Sequence, residues 1–352
     1  MSKTHWMIYG ANGYTARLVA EQACRQGLRP LLGGRDPAAV QALGSQLGLE
    51  CRIFAADAPG ATQALADVAV LANCAGPFSA TAAPLLEACL ASACHYVDIT
   101  GEIAVFEHAH GLHQRARDAG IALCPGVGFD VIPTDCVAAC LAQAMPDANQ
   151  LALGFDTGSG LSPGTAKTTV EGLKLGGKVR QDGEVRDVPL GYKQRDIDFG
   201  RGLKHAVSIP WGDVATAFYT TGIGNIEVYL PAPPLLALGM RLLDPLRPLL
   251  ARDGVQRWLK RQAQQRIQGP DQLTRSRLRT WVWGEVRNAA GERRTARLET
   301  ANGYDVTLHG VLMAVTHLLD YAGPGGYFTP SRLFGKRCVE RLPGSGQIVI
   351  RG

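Results

Sequence analysis

The stretch from Trp6 to Ala16, Trp-Met-Ile-Tyr-Gly-Ala-Asn-Gly-Tyr-Thr-Ala, limits the folds open to this chain more than any other. Four apolar residues, Trp6 to Tyr9, run straight into Gly10, and a helix-like segment from Thr15 to Arg25, apolar at Leu18, Val19 and Ala23, follows Gly13. The order is strand, glycine turn, helix. Gly10 lets the chain turn sharply, Gly13 lets backbone approach a ligand with no Cβ in the way, and Ala16 lets helix and strand pack closely. The N–H groups and positive dipole end at such a helix start suit a pyrophosphate. The spacing G-x-x-G-x-x-A is a variant of the dinucleotide fingerprint; taken alone it describes a structural turn equally well.

The stretches that follow repeat the same grammar. Leu31 and Leu32 form a short second strand ending in Gly33-Gly34-Arg35, and Asp36-Pro37 reads as an N-cap with proline at the first helical position. The end of a second strand is where such folds read the adenosine ribose: an acid bonds a 2′-hydroxyl, an arginine accommodates a 2′-phosphate. Arg35 lies there while Asp36 is taken by its cap, so the sequence favours NADP over NAD; the alternative for Arg35 is a solvent-facing loop arginine. A third strand, Cys51 to Ala55, leads to Asp57, near where an adenine would lie. Val68 to Cys74 is a continuous apolar run, as in a strand buried on both faces, and it breaks into Ala75-Gly76-Pro77-Phe78. A helix (Ala82 to Ala91), a strand (His95 to Ile99) ending in Thr100-Gly101-Glu102, a helix to Ala119 and a strand (Ile121 to Pro125) ending in Gly126-Val-Gly-Phe-Asp130 complete the set. Six strands alternating with helices predict a parallel, doubly wound Rossmann sheet, with every glycine-bearing turn at a strand's C-terminal end, where ligands bind.

At 352 residues the chain exceeds a single core, and a second domain is expected. From Gln150 the pattern changes to short alternating strands. Asp182-Gly183 reads as a hairpin turn, Leu278 to Val286 pairs with Arg293 to Leu298, and a helix-periodic stretch from Leu308 closes at Gly323. The fold class expected is thus α/β, a Rossmann sheet over 1–148 plus an α+β domain with a mixed or antiparallel sheet over 149–303, with a helix at about 304–322 and the C-terminal tail packing back on the first domain. Lys3 runs directly into the first strand, leaving no room for a signal peptide, and the nine cysteines, several within apolar runs, read as buried free thiols of a cytoplasmic protein.

Two tempting motifs fail on physical grounds. Gly160-Leu-Ser162-Pro-Gly164 matches G-x-S-x-G, but Pro163 has no N–H for an oxyanion hole. His108, His110 and His113 lack zinc-site spacing and read as a solvated helix face, so no metal is expected.

With these residues in view, the chain resembles the saccharopine dehydrogenase-like oxidoreductases, and within them the branch that includes the mycobacterial trans-acting enoyl reductases. The resemblance rests on Tyr9 to Thr15, Gly33 to Pro37, Asn73 to Phe78, Tyr96 to Glu102, Gly126 to Asp135 and Gly164 to Thr168. Two departures, Asn12 where threonine is commoner and Ala16 where glycine is commoner, are both small. The resemblance implies NADP(H) binding, a second domain used for substrate and often for dimer contact, and a C-terminal helix that returns to the nucleotide domain. It leaves the substrate open, since relatives act on amino-acid imines, polyamine precursors and unsaturated acyl chains.

The cofactor contacts expected are Gly10, Ala11, Asn12, Gly13, Tyr14, Thr15, Gly34, Arg35, Asp57, Ala75, Gly76, Pro77 and Phe78. Reduction of a carbon–carbon double bond also needs a proton donor. Candidates at the strand ends are Asp98, Thr100, Glu102 and Asp130, with Lys167 reaching in from the second domain. Asp130 is alternatively a cap for the helix near Pro133, and Lys167 an exposed lysine. Between Arg241 and Arg279 ten Lys or Arg face three acids, joined to the leucine-rich run from Pro233 to Leu250. That pairing suits an acyl thioester substrate, brought by an acyl carrier protein or a membrane surface, and no nucleic acid; alternatively it is a helix packed on its own domain. The activity expected is NADP-dependent enoyl reduction in lipid metabolism, by a homodimer. The alternatives are an imine-type dehydrogenase and a catalytically silent NADP-binding protein associated with lipid.

Overall fold

The computed structural model describes residues 3–158, 170, 172, 176–266 and 277–352. They form two compact units, one of residues 1–130 with 304–334, the other of residues 131–303 with 335–352.

The first unit is built on a seven-stranded parallel sheet: β1 (His5–Tyr9), β2 (Leu31–Gly34), β3 (Cys51–Ile53), β4 (Val68–Asn73), β5 (His95–Asp98), β6 (Ala122–Cys124) and β15 (Gly326–Tyr327). Their order, β15-β6-β5-β4-β1-β2-β3, is doubly wound, with the reversal between β1 and β4. The sheet is central because its strands are apolar on both faces: all six residues of β4 are buried. Helices cover it with small side chains. Tyr14–Arg25 buries Ala16, Val19, Ala20 and Ala23, one stripe at i, i+3, i+4, i+7.

Several elements differ from the sequence reading. The fourth-strand helix spans Phe78–Ser92 and begins before Ala82, keeping Pro84 inside. The stretch to Ala119 is two helices, Ile103–Gly111 and His113–Asp118, and at their junction His113 accepts a hydrogen bond from Tyr327 N–H at 3.1 Å. His113 therefore anchors the seventh strand instead of lying on a wholly solvated face, while His108 and His110 are exposed. That strand is two residues long, too short to carry an alternating pattern.

The second unit holds a nine-stranded mixed sheet ordered β10 (Gln194–Asp198)-β11 (Leu203–Ser208)-β12-β7-β13-β14-β16, with the hairpin β8 (Gly177–Gln181) and β9 (Glu184–Val188) joined to β12 through β8. The hairpin turn has Asp182 and Gly183 both at positive φ, 50° and 83°, as a two-residue turn requires. The central strands are β7 (Ala148–Thr157), β12 (Asn225–Pro231), β13 (Arg279–Asn288) and β14 (Arg293–Ala301). β7 pairs antiparallel with β13 but parallel with β12, so the sheet is mixed.

The division falls at Asp130, earlier than 148. The helix Ile132–Ala144 belongs to the second unit because it lies on that sheet: a Cβ at Gly284 of β13 would meet Val137 Cγ1 at 2.6 Å and Leu141 Cδ1 at 2.8 Å. The tail also corrects the reading. Residues 335–352 join the second unit, where β16 (Val349–Arg351) extends the sheet beside β14, while the helix Gly303–Leu319 divides with the first unit from Tyr304 on. All nine cysteines are free.

Candidate active site

The ends of β1 and β4 flank the reversal point, and their loops nearly touch. Gly10, at φ 77°, donates from its N–H to Gly33 O at 2.9 Å, and Ala11 N–H joins the same acceptor at 3.1 Å. A Cβ on Gly10 would meet Ala75 Cβ at 2.7 Å, so only glycine satisfies both the dihedral and the space. Gly13 then opens the helix Tyr14–Arg25 as an N-cap that has no side chain to offer. The other helix starts nearby are served differently. Asp36 caps Pro37–Leu47, accepting from Ala39 N–H at 3.1 Å. Glu102 fills the start of Phe78–Ser92, accepting from Phe78 N–H at 2.9 Å and Ser79 N–H at 2.8 Å. The turn at Gly13 is thus a helix start that the protein does not fill with its own carboxylate, which suits an anionic diphosphate.

The residues expected around a cofactor fall into two groups. Asn12, Arg35, Asp57 and Gly76 are exposed at the strand ends, with Gly13, Tyr14, Thr15, Ala75 and Pro77 partly exposed beside them. Arg35 has no ion-pair or hydrogen-bond partner among the described residues, although Asp36 next to it is engaged by its cap. Ala11, Gly34 and Phe78 are buried, so their contribution is to shape the loops from within. Gly76-Pro77 is a cis peptide.

Below these loops lies a buried polar network that local sequence does not announce. Asn73 donates to Tyr96 Oη at 3.1 Å and to Thr81 Oγ1 at 3.2 Å, and accepts from Ala75 N–H at 3.0 Å. Tyr96 donates to Asp98 Oδ2 at 2.8 Å, and Asp98 Oδ1 accepts from Thr100 N–H at 3.0 Å and Gly126 N–H at 2.8 Å. Asp98 is 1% exposed, and burial pushes its carboxyl up to about 6 against these donors. Oδ1 binds the loops after β5 and β6 while Oδ2 holds Tyr96, which reaches Asn73 of β4, so Asp98 is a bracket between the ends of β4, β5 and β6. The signal available was the alternation Tyr96-x-Asp98, which puts both side chains on one face of a strand; its partner Asn73 is remote in sequence.

Asp130 sits over the next loop. A Cβ on Gly101 would meet Asp130 Oδ2 at 2.9 Å, so glycine there lets the carboxyl lie against the Thr100-Gly101-Glu102 turn. Burial pushes that carboxyl up to about 7. The N-cap position of the following helix is Val131, whose side chain makes no cap bond. Thr100 and Glu102 are occupied: Thr100 Oγ1 accepts from Glu102 N–H at 3.0 Å, and the Glu102 carboxylate clamps residues 78 and 79. Lys167 and Ser162 lie outside the described residues. No group of metal-ligating side chains occurs among the described residues.

Residues 6–124 match the family model described as the saccharopine dehydrogenase NADP binding domain. Residues 6–124 are thus similar to that domain. The saccharopine dehydrogenase-type domain is an NADP-binding one, the cofactor expected. Among named relatives, the chain is 36% identical over 138 residues to a Mycobacterium tuberculosis protein named as a candidate trans-acting enoyl reductase, covering 37% of this chain and 33% of that protein. It is 30% identical over the same length to a trans-acting enoyl reductase of Mycobacterium ulcerans, with the same coverage. The match thus spans about a third of the length of these relatives. In fold, the saccharopine dehydrogenase (L-Glu forming) of Saccharomyces cerevisiae, solved without ligand, superposes with TM-score 0.65 over 99% of both chains at 12% identity. That likeness extends the shared architecture to both units.

The second unit carries a cavity of about 370 Å³ of its own, lined by Arg195, Arg297, Trp283 and Glu285 among others. Its charges are largely paired: Arg195 with Glu285 at 3.0 Å and Arg297 with Asp198 at 2.9 Å.

Proposed function

We propose that this protein is an NADP-dependent oxidoreductase that reduces the double bond of an enoyl thioester. The observation that carries the reading is the helix start at Gly13, left without a carboxylate while its neighbours at Asp36 and Glu102 are filled, with an unpaired Arg35 at the end of β2. The substrate class follows the names of the relatives, about a third of whose length this chain matches.

When bound, NADPH supplies a hydride to the carbon remote from the thioester carbonyl. The chain's own residues do the rest. Gly10 to Thr15 hold the diphosphate by backbone, Arg35 meets the 2′-phosphate, and Asp57 and the Ala75–Pro77 loop border the adenine and nicotinamide ends. Asp130, whose carboxyl titrates at about 7, still holds a proton near neutral pH and releases it to the carbon beside the carbonyl. Asp98 keeps the loops of β5 and β6 in place for it. Lys167 in the second domain is assigned to substrate binding. A homodimer acting in the cytoplasm completes the proposal.

The test is NADPH oxidation by the full chain against three panels: enoyl thioesters of coenzyme A, imines formed from amino acids and 2-oxo acids, and polyamine imines. Turnover with enoyl thioesters is expected. Turnover confined to imines, or none in any panel, overturns the substrate assignment.

A further inference from the structure

The helix Pro234–Leu243 buries only a narrow stripe and leaves a broad leucine face exposed. Ala237 is fully buried and Met240 packs with it against Val207 and Ala232. Two polar side chains bond backbone at the edge of that stripe, Arg241 while itself exposed. Arg241 Nε donates to Gly191 O at 3.3 Å, and Asp244, just past the helix, accepts from Leu190 N–H at 2.9 Å. Positions 237, 240, 241 and 244 form one stripe at helical spacing. The opposite stripe is leucine: Leu235 is 80% exposed, Leu238 53% and Leu242 66%, with Leu249 also exposed further on. A helix that leaves four of its leucines, Leu235, Leu236, Leu238 and Leu242, more than half exposed is arranged for an apolar medium on its outer side.

The next helix, Asp253–Arg266, adds charge and an amphipathic aromatic. Gln256 is buried and donates to Leu250 O at 2.8 Å, while Trp258, two positions on, is 60% exposed. Arg252, Arg257 and Arg261 are exposed around it. From Arg241 to Arg266 seven Lys or Arg stand against two acids.

We propose that residues 234–261 dock this protein on an anionic lipid surface, the leucines entering the acyl boundary, Trp258 at headgroup depth and the arginines meeting lipid phosphates. Exposed leucine and tryptophan with arginine in the same segment is the composition of helices that lie in the membrane plane. No described helix is long and apolar enough to cross a bilayer, so the contact is peripheral. A second copy is a poor occupant: a two-fold contact sets the same patch against itself, bringing arginine against arginine. An acidic carrier protein would answer the arginines but leave a leucine stripe of this extent in contact with charge. The inference is independent of the oxidoreductase reading, since vesicle binding needs neither cofactor nor turnover.

The experiment is flotation of the full chain with phosphatidylcholine vesicles, with and without phosphatidylglycerol. Binding is expected only with the anionic lipid. It should fall by roughly tenfold or more in Leu235→Ser/Leu238→Ser/Leu242→Ser and in Arg257→Glu/Arg261→Glu, and in about 1 M salt, where the Debye length is about 3 Å. These side chains are exposed, so the thermal unfolding midpoint should not move. Trp258 emission should shift to the blue on binding, a change absent in Trp258→Phe. The proposal is overturned if the wild-type chain binds neither vesicle, if the leucine variant binds undiminished, or if the leucine variant converts a dimer to a monomer.

Discussion

Burial raises the Asp130 carboxyl, to about 7. A carboxyl of ordinary acidity, near 3.9, would be ionised at neutral pH and unable to donate a proton. The sign of the pH dependence follows. Below about 7 the group is protonated and competent, so kcat/KM for the reduction should fall as pH rises through about 7, and Asp130→Asn should remove that limb while lowering turnover roughly 10²- to 10⁴-fold. A stability trend runs the same way. The folded carboxyl holds its proton to higher pH than the unfolded one, so the stability it contributes is fully present below about 4 and is lost as pH rises toward about 7. Denaturant unfolding of wild type and Asp130→Asn across that window measures it; identical slopes would contradict the burial argument. At this scale the sequence was partly legible. A carboxyl after a glycine-rich turn marks itself, and so does an arginine after Gly33-Gly34. Glu102 does not, because its partners, the N–H groups of Phe78 and Ser79, lie two dozen residues earlier and carry no side-chain signature.

The elements show why a repeated grammar of strand, glycine turn and helix yields different sites. Helix starts at Gly13, Asp36 and Pro77 are equivalent in topology, but a carboxylate serves two of them and Gly13 brings no side-chain cap to the third. The Glu102 clamp should therefore be structural. Glu102→Ala leaves two helix-start N–H groups without their acceptor and should cost about 1–2 kcal/mol of stability, the size of losing a cap, measured by urea unfolding of the full chain. A loss of NADPH affinity with no loss of stability would contradict this and place Glu102 in the cofactor site. The strands of the first sheet were legible from apolar runs and breaks, whereas β15 was not: two residues paired to β6 and bonded to His113 leave no periodic trace. The helix Pro234–Leu243 shows the limit of periodicity from the other side. Its spacing predicts an amphipathic helix but not which stripe faces inward, and Asp244 and Arg241 decided that by finding backbone partners on Leu190 and Gly191.

At the scale of the molecule, the change of pattern near Gln150 was a true change of architecture, displaced from the unit boundary by one helix. The helix Ile132–Ala144 reads in sequence as the next member of the alternating series, yet Gly284 gives it a seat on the second sheet. The tail likewise had no pattern to reveal that Val349–Arg351 would pair with β14. The central claim rests on the part that both sequence and structure describe most fully, the nucleotide end of the first unit. Isothermal titration of NADPH and NADH into the full chain and into Arg35→Ala tests it most directly. NADPH should bind at least about tenfold more tightly than NADH, and Arg35→Ala should bring the two together, a charge-assisted contact being worth about 1.5–3 kcal/mol. Equal affinity for the two in the wild-type chain, or binding of neither, would contradict the account.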